Sequence, residues 1–252
     1  MNKKRKTLVI ICIFIVLLIA SFLIEYKLLK EPKELTPVIK HDEVIEEVVT
    51  DVSSINYKEA IDNLKNEYNN NDIRGILTIE NTSFNEIVVQ STDNDYYLNH
   101  TISHESNWRG QTFIDFRVDI NNSKKLIIYG HSATNHDIPF NIFENYYNED
   151  YYKEHRYMYL QTDNSKKIYE IFSVYVEVED WSYYNKMNYI DENDYYNHIL
   201  SMKNNSWYDT GVNISKDDEI LIIQTCSNHP NYAKYENKFL LVIAKRVTKF
   251  DK

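Results

Sequence analysis

The stretch Glu219-Ile220-Leu221-Ile222-Ile223-Gln224-Thr225-Cys226 is the strongest structural signal in this chain of 252 residues. A continuous apolar and β-branched run of this length is typical of a strand that is buried on both faces. The run stops where the polar sequence Ser227-Asn228-His229-Pro230 begins. The sequence therefore predicts a central strand that presents a cysteine at its exposed end.

The thiol of Cys226 has no partner for a disulfide within the folded part of the chain. The only other cysteine, Cys12, lies in an N-terminal apolar segment. A free cysteine often packs as a small hydrophobic residue. The position of Cys226 at a strand end instead favours a reactive thiol.

The N-terminal segment from Leu8 to Ile24 is apolar except for Ser21. Together with Thr7 it is long enough to cross a hydrocarbon core of ~30 Å as a helix. A cleaved signal peptide is the alternative, but no small-residue cleavage site follows the segment. The basic cluster Lys3-Lys4-Arg5-Lys6 is expected to stay in the cytoplasm.

Three regions follow from this interpretation. Residues 1-24 form a basic cytoplasmic tip and an uncleaved membrane anchor, residues 25-53 form an acidic, proline-containing stalk, and residues 54-252 form one extracellular domain. The predicted localisation is the cell membrane, with the N-terminus in the cytoplasm. The formal net charge is −10 and the charges before residue 25 are all positive, so the extracellular part is strongly acidic. Such a domain repels phosphate backbones, and no nucleic acid partner is expected.

Short β-rich runs separated by polar turns predict eight strands from Ile73 onward. They cover Ile73–Ile79, Glu86–Gln90, Thr112–Phe116, Leu126–Tyr129, Tyr157–Gln161, Lys167–Val178, Glu219–Thr225 and Phe239–Val247. Alternation along the sixth of these places Phe172 and Val174 on the same face. Eight strands with few helices favour a closed or nearly closed β-barrel.

Three helical stretches accompany the strands. The apolar residues of Tyr57–Tyr68 recur at helical spacing, and the serines Ser53-Ser54 before them are suited to cap this helix. The other two helices are predicted over Ile138–Glu154 and Asp191–Lys203. The fold class is therefore mainly β, with an N-terminal helix and two peripheral helical segments.

A nucleophilic thiol needs an acid or base and a donor for the oxyanion that forms. His131 follows the apolar run Leu126–Tyr129 and a glycine, so it also lies at a strand end. His229, three residues from Cys226, is the alternative. His100 and His104 have the i, i+4 spacing of metal ligands, but no third ligand accompanies them and a solvated surface explains them as well.

Lys238 is the candidate for the oxyanion donor. It opens the apolar run Phe239–Lys245, which is expected to pair beside the strand that ends at Cys226. A solvated lysine at a strand end is the simpler interpretation, and both remain open.

Several segments together resemble a class B sortase. The resemblance extends from about Ile73 to Val247 and rests on their combination. The segments are Tyr129-Gly130-His131, Thr225-Cys226, the basic residue that opens Phe239–Lys245, Asp93-Asn94-Asp95-Tyr96-Tyr97-Leu98, and Tyr208-Asp209-Thr210-Gly211-Val212.

This resemblance implies a membrane-anchored cysteine transpeptidase of Gram-positive bacteria with an eight-stranded sortase-type β-barrel. It makes Cys226 the nucleophile and His131 its acid and base. The third catalytic residue of the family is an arginine, and the matching position holds Lys238. If Lys238 does not replace it, the donor is expected to be backbone amides or one of four arginines that the fold brings in: Arg74, Arg109, Arg117 and Arg156.

The same resemblance implies the substrate contacts and the reaction. Asn94 and Leu98 match positions that line the sorting-signal groove, and Tyr129 and Thr225 are assigned to substrate binding with them. A sorting signal of the Asn-Pro-x-Thr type on a secreted protein is cleaved through a thioacyl-enzyme and passed to a peptidoglycan cross-bridge amine. No cofactor and no metal is expected.

Three alternatives remain. In the first, the acceptor is a lysine of another subunit and the protein is a pilin polymerase. In the second, the protein is an L,D-transpeptidase, but the Ser-His-Gly-Cys sequence expected of that class is missing here. In the third, the change to Lys238 marks a lapsed enzyme that only binds sorting signals.

Overall fold

The structure is a computed structural model that describes residues 56–178 and 183–248. The predicted anchor and stalk lie outside these residues, as do the serines suggested as a helix cap. Within the described part, no helix is both long and apolar enough to cross a membrane.

Eight strands form a closed barrel in the order β1-β2-β3-β4-β7-β8-β6-β5, which confirms the predicted fold class. Most neighbours are antiparallel, whereas β2–β3 and β4–β7 are parallel pairs. The strands are β1 (Ile73–Ile79), β2 (Asn85–Val89), β3 (Phe113–Ile114), β4 (Lys125–Tyr129), β5 (Tyr157–Thr162), β6 (Lys166–Val178), β7 (Ile220–Cys226) and β8 (Lys238–Arg246).

Helices cover the outside of the barrel. They are α1 (Tyr57–Tyr68), α2 (Glu149–Glu154) and α3 (Glu192–Asn204), with 3-10 segments at Tyr96–Leu98, Pro139–Tyr147 and Pro230–Tyr232. Helix α1 begins after Asn56, whose side-chain oxygen accepts a hydrogen bond from the Glu59 N–H at 3.0 Å. Such a cap satisfies one of the free N–H groups of the first turn.

The central strand β7 is buried on both faces, as its sequence predicts. Leu221 and Ile223 belong to the interior cluster, to which all eight strands contribute. Ile220 and Ile222 point the other way, into an outer layer that includes residues of α1 and α3. A strand between two apolar layers reads as a continuous hydrophobic run, which explains why the sequence signal is so strong.

Two local predictions were wrong. The predicted alternation in β6 fails because the register with β8 shifts between Ile171 and Ser173. Val174 faces the barrel interior, whereas Phe172 lies in the outer layer. The predicted helix over Ile138–Glu154 is instead a 3-10 segment, Pro139–Tyr147, followed by the short helix α2.

Candidate active site

Three neighbouring strands end at the same edge of the barrel. The parallel register pairs Tyr129 of β4 with Gln224 of β7, and the Gly130 N–H continues it by donating to the Gln224 carbonyl at 3.3 Å. On the other side of β7, Cys226 pairs with Phe239 of β8. Adjacent strands lie ~4.8 Å apart, so the ends of β4, β7 and β8 converge.

This arrangement brings His131, Cys226 and Lys238 to one edge. His131 lies two residues beyond the end of β4, Cys226 is the last residue of β7, and Lys238 is the first residue of β8. The backbone also closes this edge, since the Ser227 N–H donates to the Lys238 carbonyl at 2.9 Å.

The thiol of Cys226 is free and exposed at the rim. Its surroundings still remove enough water to raise its pKa above the ordinary value. The positive charge of Lys238 acts in the opposite direction and favours the thiolate, whereas the negative charge of Glu144 opposes it. Lys238 and Glu144 therefore act on the thiol with opposite signs.

Lys238 is half-buried, and its ammonium donates to the Tyr235 carbonyl at 3.3 Å. This leaves two N–H bonds for another acceptor, because an ammonium group carries three. A lysine in this position supplies charge at a point, without the planar fork of an arginine.

The imidazole of His131 is oriented by the backbone. Its Nε2 lies 2.8 Å from the Leu98 carbonyl oxygen. A carbonyl only accepts, so Nε2 carries the proton and Nδ1 is the nitrogen that exchanges a proton with a substrate. Gly130, which precedes His131, has no space for a side chain, because a Cβ there would lie 2.6 Å from ring atoms of Phe140.

The alternative histidine, His229, has partners of its own beyond the end of β7. Its ring contacts Tyr147, with 4.4 Å between ring centroids, and its Nδ1 accepts a hydrogen bond from the Asn231 N–H at 3.2 Å. His100 and His104 are both bound to Tyr96, through its carbonyl and its hydroxyl respectively. In the described part of the chain, no group of three or more acidic, histidine or cysteine side chains is arranged to hold a metal ion.

A buried carboxylate, Asp115, joins two of the residues assigned to substrate binding. It accepts hydrogen bonds from the hydroxyl of Tyr129 at 2.8 Å and from the amide of Asn94 at 3.0 Å. Arg117 donates to both of its oxygens, at 2.8 and 2.6 Å. Burial alone would raise the pKa of Asp115, but these donors outweigh it and hold the pKa below the ordinary value.

The four residues assigned to substrate binding have different surroundings. Leu98 is exposed, and its carbonyl holds His131. Asn94 and Tyr129 both bind Asp115, and Tyr129 is largely buried. Thr225 is buried and its hydroxyl donates to the Gly130 carbonyl at 2.8 Å, so it joins the end of β7 to the residue before His131.

The arginines that were considered in place of Lys238 have partners elsewhere. Arg117 binds Asp115, as described above. The others engage different groups: Arg74 donates to the Asn71 carbonyl and to Gln90, Arg109 lies over the ring of Trp108, and Arg156 pairs with Glu170. Among the described residues, Lys238 is the cation whose charge acts on the thiol.

Sequence reasoning missed two residues of this site. Glu144 lies inside a predicted helix, where a single carboxylate usually belongs to the solvated face. Tyr184 is buried and packs edge-on against Phe239, the partner of Cys226 in β8, with ring centroids 6.1 Å apart. Asp115 gave a weak signal, since it is a charge within a predicted strand.

Comparison with known proteins gives consistent matches. A family model described as the sortase domain matches residues 77–247. Sortase B of Listeria monocytogenes is 31% identical over 182 residues, which cover 71% of this chain and 72% of that protein.

Solved structures show the same likeness. The structure of Clostridium perfringens sortase B is 29% identical, with a TM-score of 0.66, and the match covers 74% of this chain and 98% of that one. A Staphylococcus aureus sortase B–substrate complex is 25% identical, with a TM-score of 0.67, and the match covers 82% and 90% of the two chains.

Proposed function

This chain belongs to the sortase family, as a class B member, and on that premise we propose its substrate and its acceptor. It is therefore a cysteine transpeptidase. We infer that it cleaves an Asn-Pro-x-Thr type sorting signal of secreted proteins and transfers them to an amine of the peptidoglycan cross-bridge. The convergence of Cys226, His131 and Lys238 at one edge of the barrel carries this proposal.

In the first step, the thiolate of Cys226 attacks the carbonyl carbon of the threonine in the sorting signal. The charge of Lys238 supports this step twice, because it favours the thiolate and is also close to the place where the oxyanion develops. His131 gives a proton to the leaving amine, and a thioacyl-enzyme results. In the second step, an amine attacks the thioester and His131 accepts the proton that this amine loses.

Asn94 and Leu98 are proposed to line the groove for the sorting signal. The exposed side chain of Leu98 is suited to contact an apolar group of the peptide. Tyr129 and Thr225 support these positions indirectly, through their hydrogen bonds to Asp115 and to the Gly130 carbonyl. A Staphylococcus aureus sortase B has been captured in a complex with substrate, which supports a substrate-binding role for this chain.

We further propose that residues 1-24 anchor the protein in the cell membrane, with the catalytic domain outside. The basic cluster before an apolar segment of spanning length supports this orientation. An external catalytic domain would meet both secreted substrates and the cell wall.

A transpeptidation assay tests the function. The domain is incubated with a panel of sorting peptides and two amine acceptors, a glycyl peptide and a lysyl peptide with a blocked N-terminus. The proposal predicts an amide product with an Asn-Pro-x-Thr peptide and the glycyl acceptor. Transfer to the lysyl peptide alone would favour the pilin polymerase, and no covalent intermediate with any peptide would contradict the assignment.

A further inference from the structure

Glu144 is a carboxylate beside the reactive thiol that has no role in the reaction described above. It belongs to the 3-10 segment Pro139–Tyr147 and is partly buried. Its Oε1 accepts hydrogen bonds from the Asn228 N–H at 2.9 Å and from the Ser132 hydroxyl at 3.5 Å. Since Ser132 follows His131 directly, this carboxylate touches the loops that carry both catalytic side chains.

The two loops are also joined to each other at this point. The side-chain amide of Asn228 donates to the Ser132 hydroxyl at 2.5 Å. Next to them, the hydroxyl of Tyr147 lies 2.5 Å from that of Ser227, the residue after the nucleophile. Glu144 therefore sits in a polar cluster that is built onto the catalytic edge.

The hydrogen-bond partners of Glu144 are neutral. Backbone N–H and hydroxyl groups hold it, and within residues 56–178 and 183–248 no lysine or arginine forms an ion pair with it. The pKa of Glu144 is raised because burial outweighs these hydrogen bonds and the charge of His229, which lower it. A partly buried carboxylate held by neutral donors has charge left for a cation.

Glu144 hinders the first step of the reaction. Its negative charge raises the pKa of Cys226 and so disfavours the thiolate. A carboxylate at this position can instead act in the second step. There the acceptor is a primary amine, which is an ammonium ion at neutral pH and can bind a carboxylate.

We propose that Glu144 forms the subsite for the ammonium group of the acceptor. This rests on the proposed function and specifies how its second substrate is recognised. Both possible acceptors, a cross-bridge amine and a lysine side chain, carry a primary ammonium group next to an uncharged peptide. The carboxylate holds the cation beside the thioester of Cys226 and accepts one of its protons.

The protons and bonds of this step balance. The ammonium gives one proton to Glu144, and the free nitrogen lone pair attacks the carbonyl carbon of the thioester. The C–N bond forms and the C–S bond breaks, which releases the thiolate of Cys226. The second proton on nitrogen passes through His131 to the thiolate, and Glu144 returns its proton to water.

The test compares charged and uncharged nucleophiles in Glu144→Gln, which is isosteric and still accepts the hydrogen bond from Asn228. The preformed acyl-enzyme is mixed with a glycyl peptide, a lysyl peptide with a blocked N-terminus, or hydroxylamine, which is uncharged at neutral pH. We expect the rate of transfer to the preferred charged acceptor to fall about tenfold, as for a lost charge-assisted hydrogen bond, and the rate with hydroxylamine to change less than about twofold. The two peptides distinguish a cross-bridge amine from a lysine.

Glu149→Gln is the matched control, because the carboxylate of Glu149 pairs with Lys153 at 3.1 Å on the surface. This variant should transfer to all three nucleophiles at the wild-type rate. Equal loss with hydroxylamine and the charged amines in Glu144→Gln would show that Glu144 only positions the loops. Unchanged rates with all three would also overturn the subsite.

A measurement on the wild type keeps the proposal falsifiable if Glu144→Gln does not fold. A glycyl peptide with a trimethylated N-terminus keeps its positive charge but cannot attack the thioester, and an acetylated one is neutral. The subsite predicts that only the first competes with the acceptor, and equal competition would overturn it. A wild-type acyl-enzyme that reacts with water alone would instead contradict the amine acceptor itself.

Discussion

At the scale of single residues, Lys238 and Glu144 shift the pKa of the Cys226 thiol in opposite directions. The thiol of Cys226 is disfavoured as an anion by its surroundings and by Glu144, and Lys238 is the group that favours the thiolate. The charge that favours the thiolate therefore comes from a lysine, where the resemblance to class B sortases leads us to expect an arginine.

Replacing Lys238 tests its part in catalysis. Lys238→Ala should lower turnover by about 10²-fold, which is typical when one oxyanion donor is removed. Lys238→Arg should keep or raise activity, since a guanidinium offers a two-point contact with a peptide. Steady-state kinetics on a sorting peptide measures both, with Lys234→Ala, in the loop before β8, as a control. Full turnover in Lys238→Ala would leave the oxyanion to backbone N–H groups.

The charges around Cys226 also predict the pH dependence of its alkylation by iodoacetamide. Alkylation requires the thiolate, so its rate rises with pH through the pKa of the thiol. Loss of the positive charge in Lys238→Ala should move this midpoint to higher pH, and Glu144→Gln should move it to lower pH. Midpoints that stay at the wild-type value in both variants would show that neither charge reaches the sulfur.

At the scale of secondary structure, residues 184–186 in the connection between β6 and β7 are fixed to the barrel by side chains. The ammonium of Lys125, the first residue of β4, is buried and donates to the carbonyls of Tyr184 and Lys186. Arg117 reaches the same segment through Asn185. Tyr184 then packs beside the β8 partner of Cys226, so these contacts link the connection to the catalytic edge.

Lys125 gives a prediction about stability and pH. Burial, followed by the charge of Arg117, lowers its pKa to about 7. The unfolded chain, with an ordinary lysine pKa near ~10.4, binds more protons between these values, so Lys125 makes the fold more stable as pH rises from 7 to 9. The stability of Lys125→Met relative to wild type should therefore fall over this range, by up to about 1.4 kcal/mol per pH unit.

Urea unfolding of both proteins at several pH values measures this difference. Other titrating groups are common to both proteins and cancel in the comparison. A difference in unfolding free energy that does not change with pH would mean that Lys125 titrates as an ordinary lysine. In the same variant, amide hydrogens of residues 184–188 should exchange faster, because two carbonyls of the segment lose their donor.

The sequence predicted elements well where burial on both faces makes the pattern simple. The bounds of β4 and β7, which are buried on both faces, agree with the apolar runs to within one residue. The alternation in β6 failed at a bulge, because an extra residue on one strand leaves no trace in its own hydrophobic pattern. Glu144 was missed for a related reason, since its partners come from two loops that are distant in the sequence.

At the scale of the whole molecule, the closed barrel gathers the catalytic residues at one edge. Parallel pairing of β4 with β7 and antiparallel pairing of β7 with β8 bring residues from three separate parts of the chain to that edge. Cys226 and His131 were predicted because both follow apolar runs, so their place at strand ends is readable from the chain. Their mutual proximity needs the topology, which the hydrophobic pattern alone does not give.

The orientation of the full chain is a separate prediction at this scale. If residues 1-24 are an uncleaved anchor, protease added to cells stripped of their wall should degrade the domain after about residue 30 and spare the N-terminal segment. Immunoblotting with an N-terminal tag measures this. A mature form that begins near Tyr26 and is found in the medium would show that the segment is a cleaved signal peptide.

The most direct test of the central claim is intact-mass spectrometry of the domain mixed with an Asn-Pro-x-Thr peptide, with and without a glycyl acceptor. The account predicts an adduct on Cys226 with the mass of the peptide up to its threonine, which disappears as amide product forms. It also predicts no adduct in Cys226→Ala, and no completed transfer in His131→Ala although that protein is folded. Full turnover in His131→Ala together with its loss in His229→Ala, or product formed without Cys226, would contradict the account.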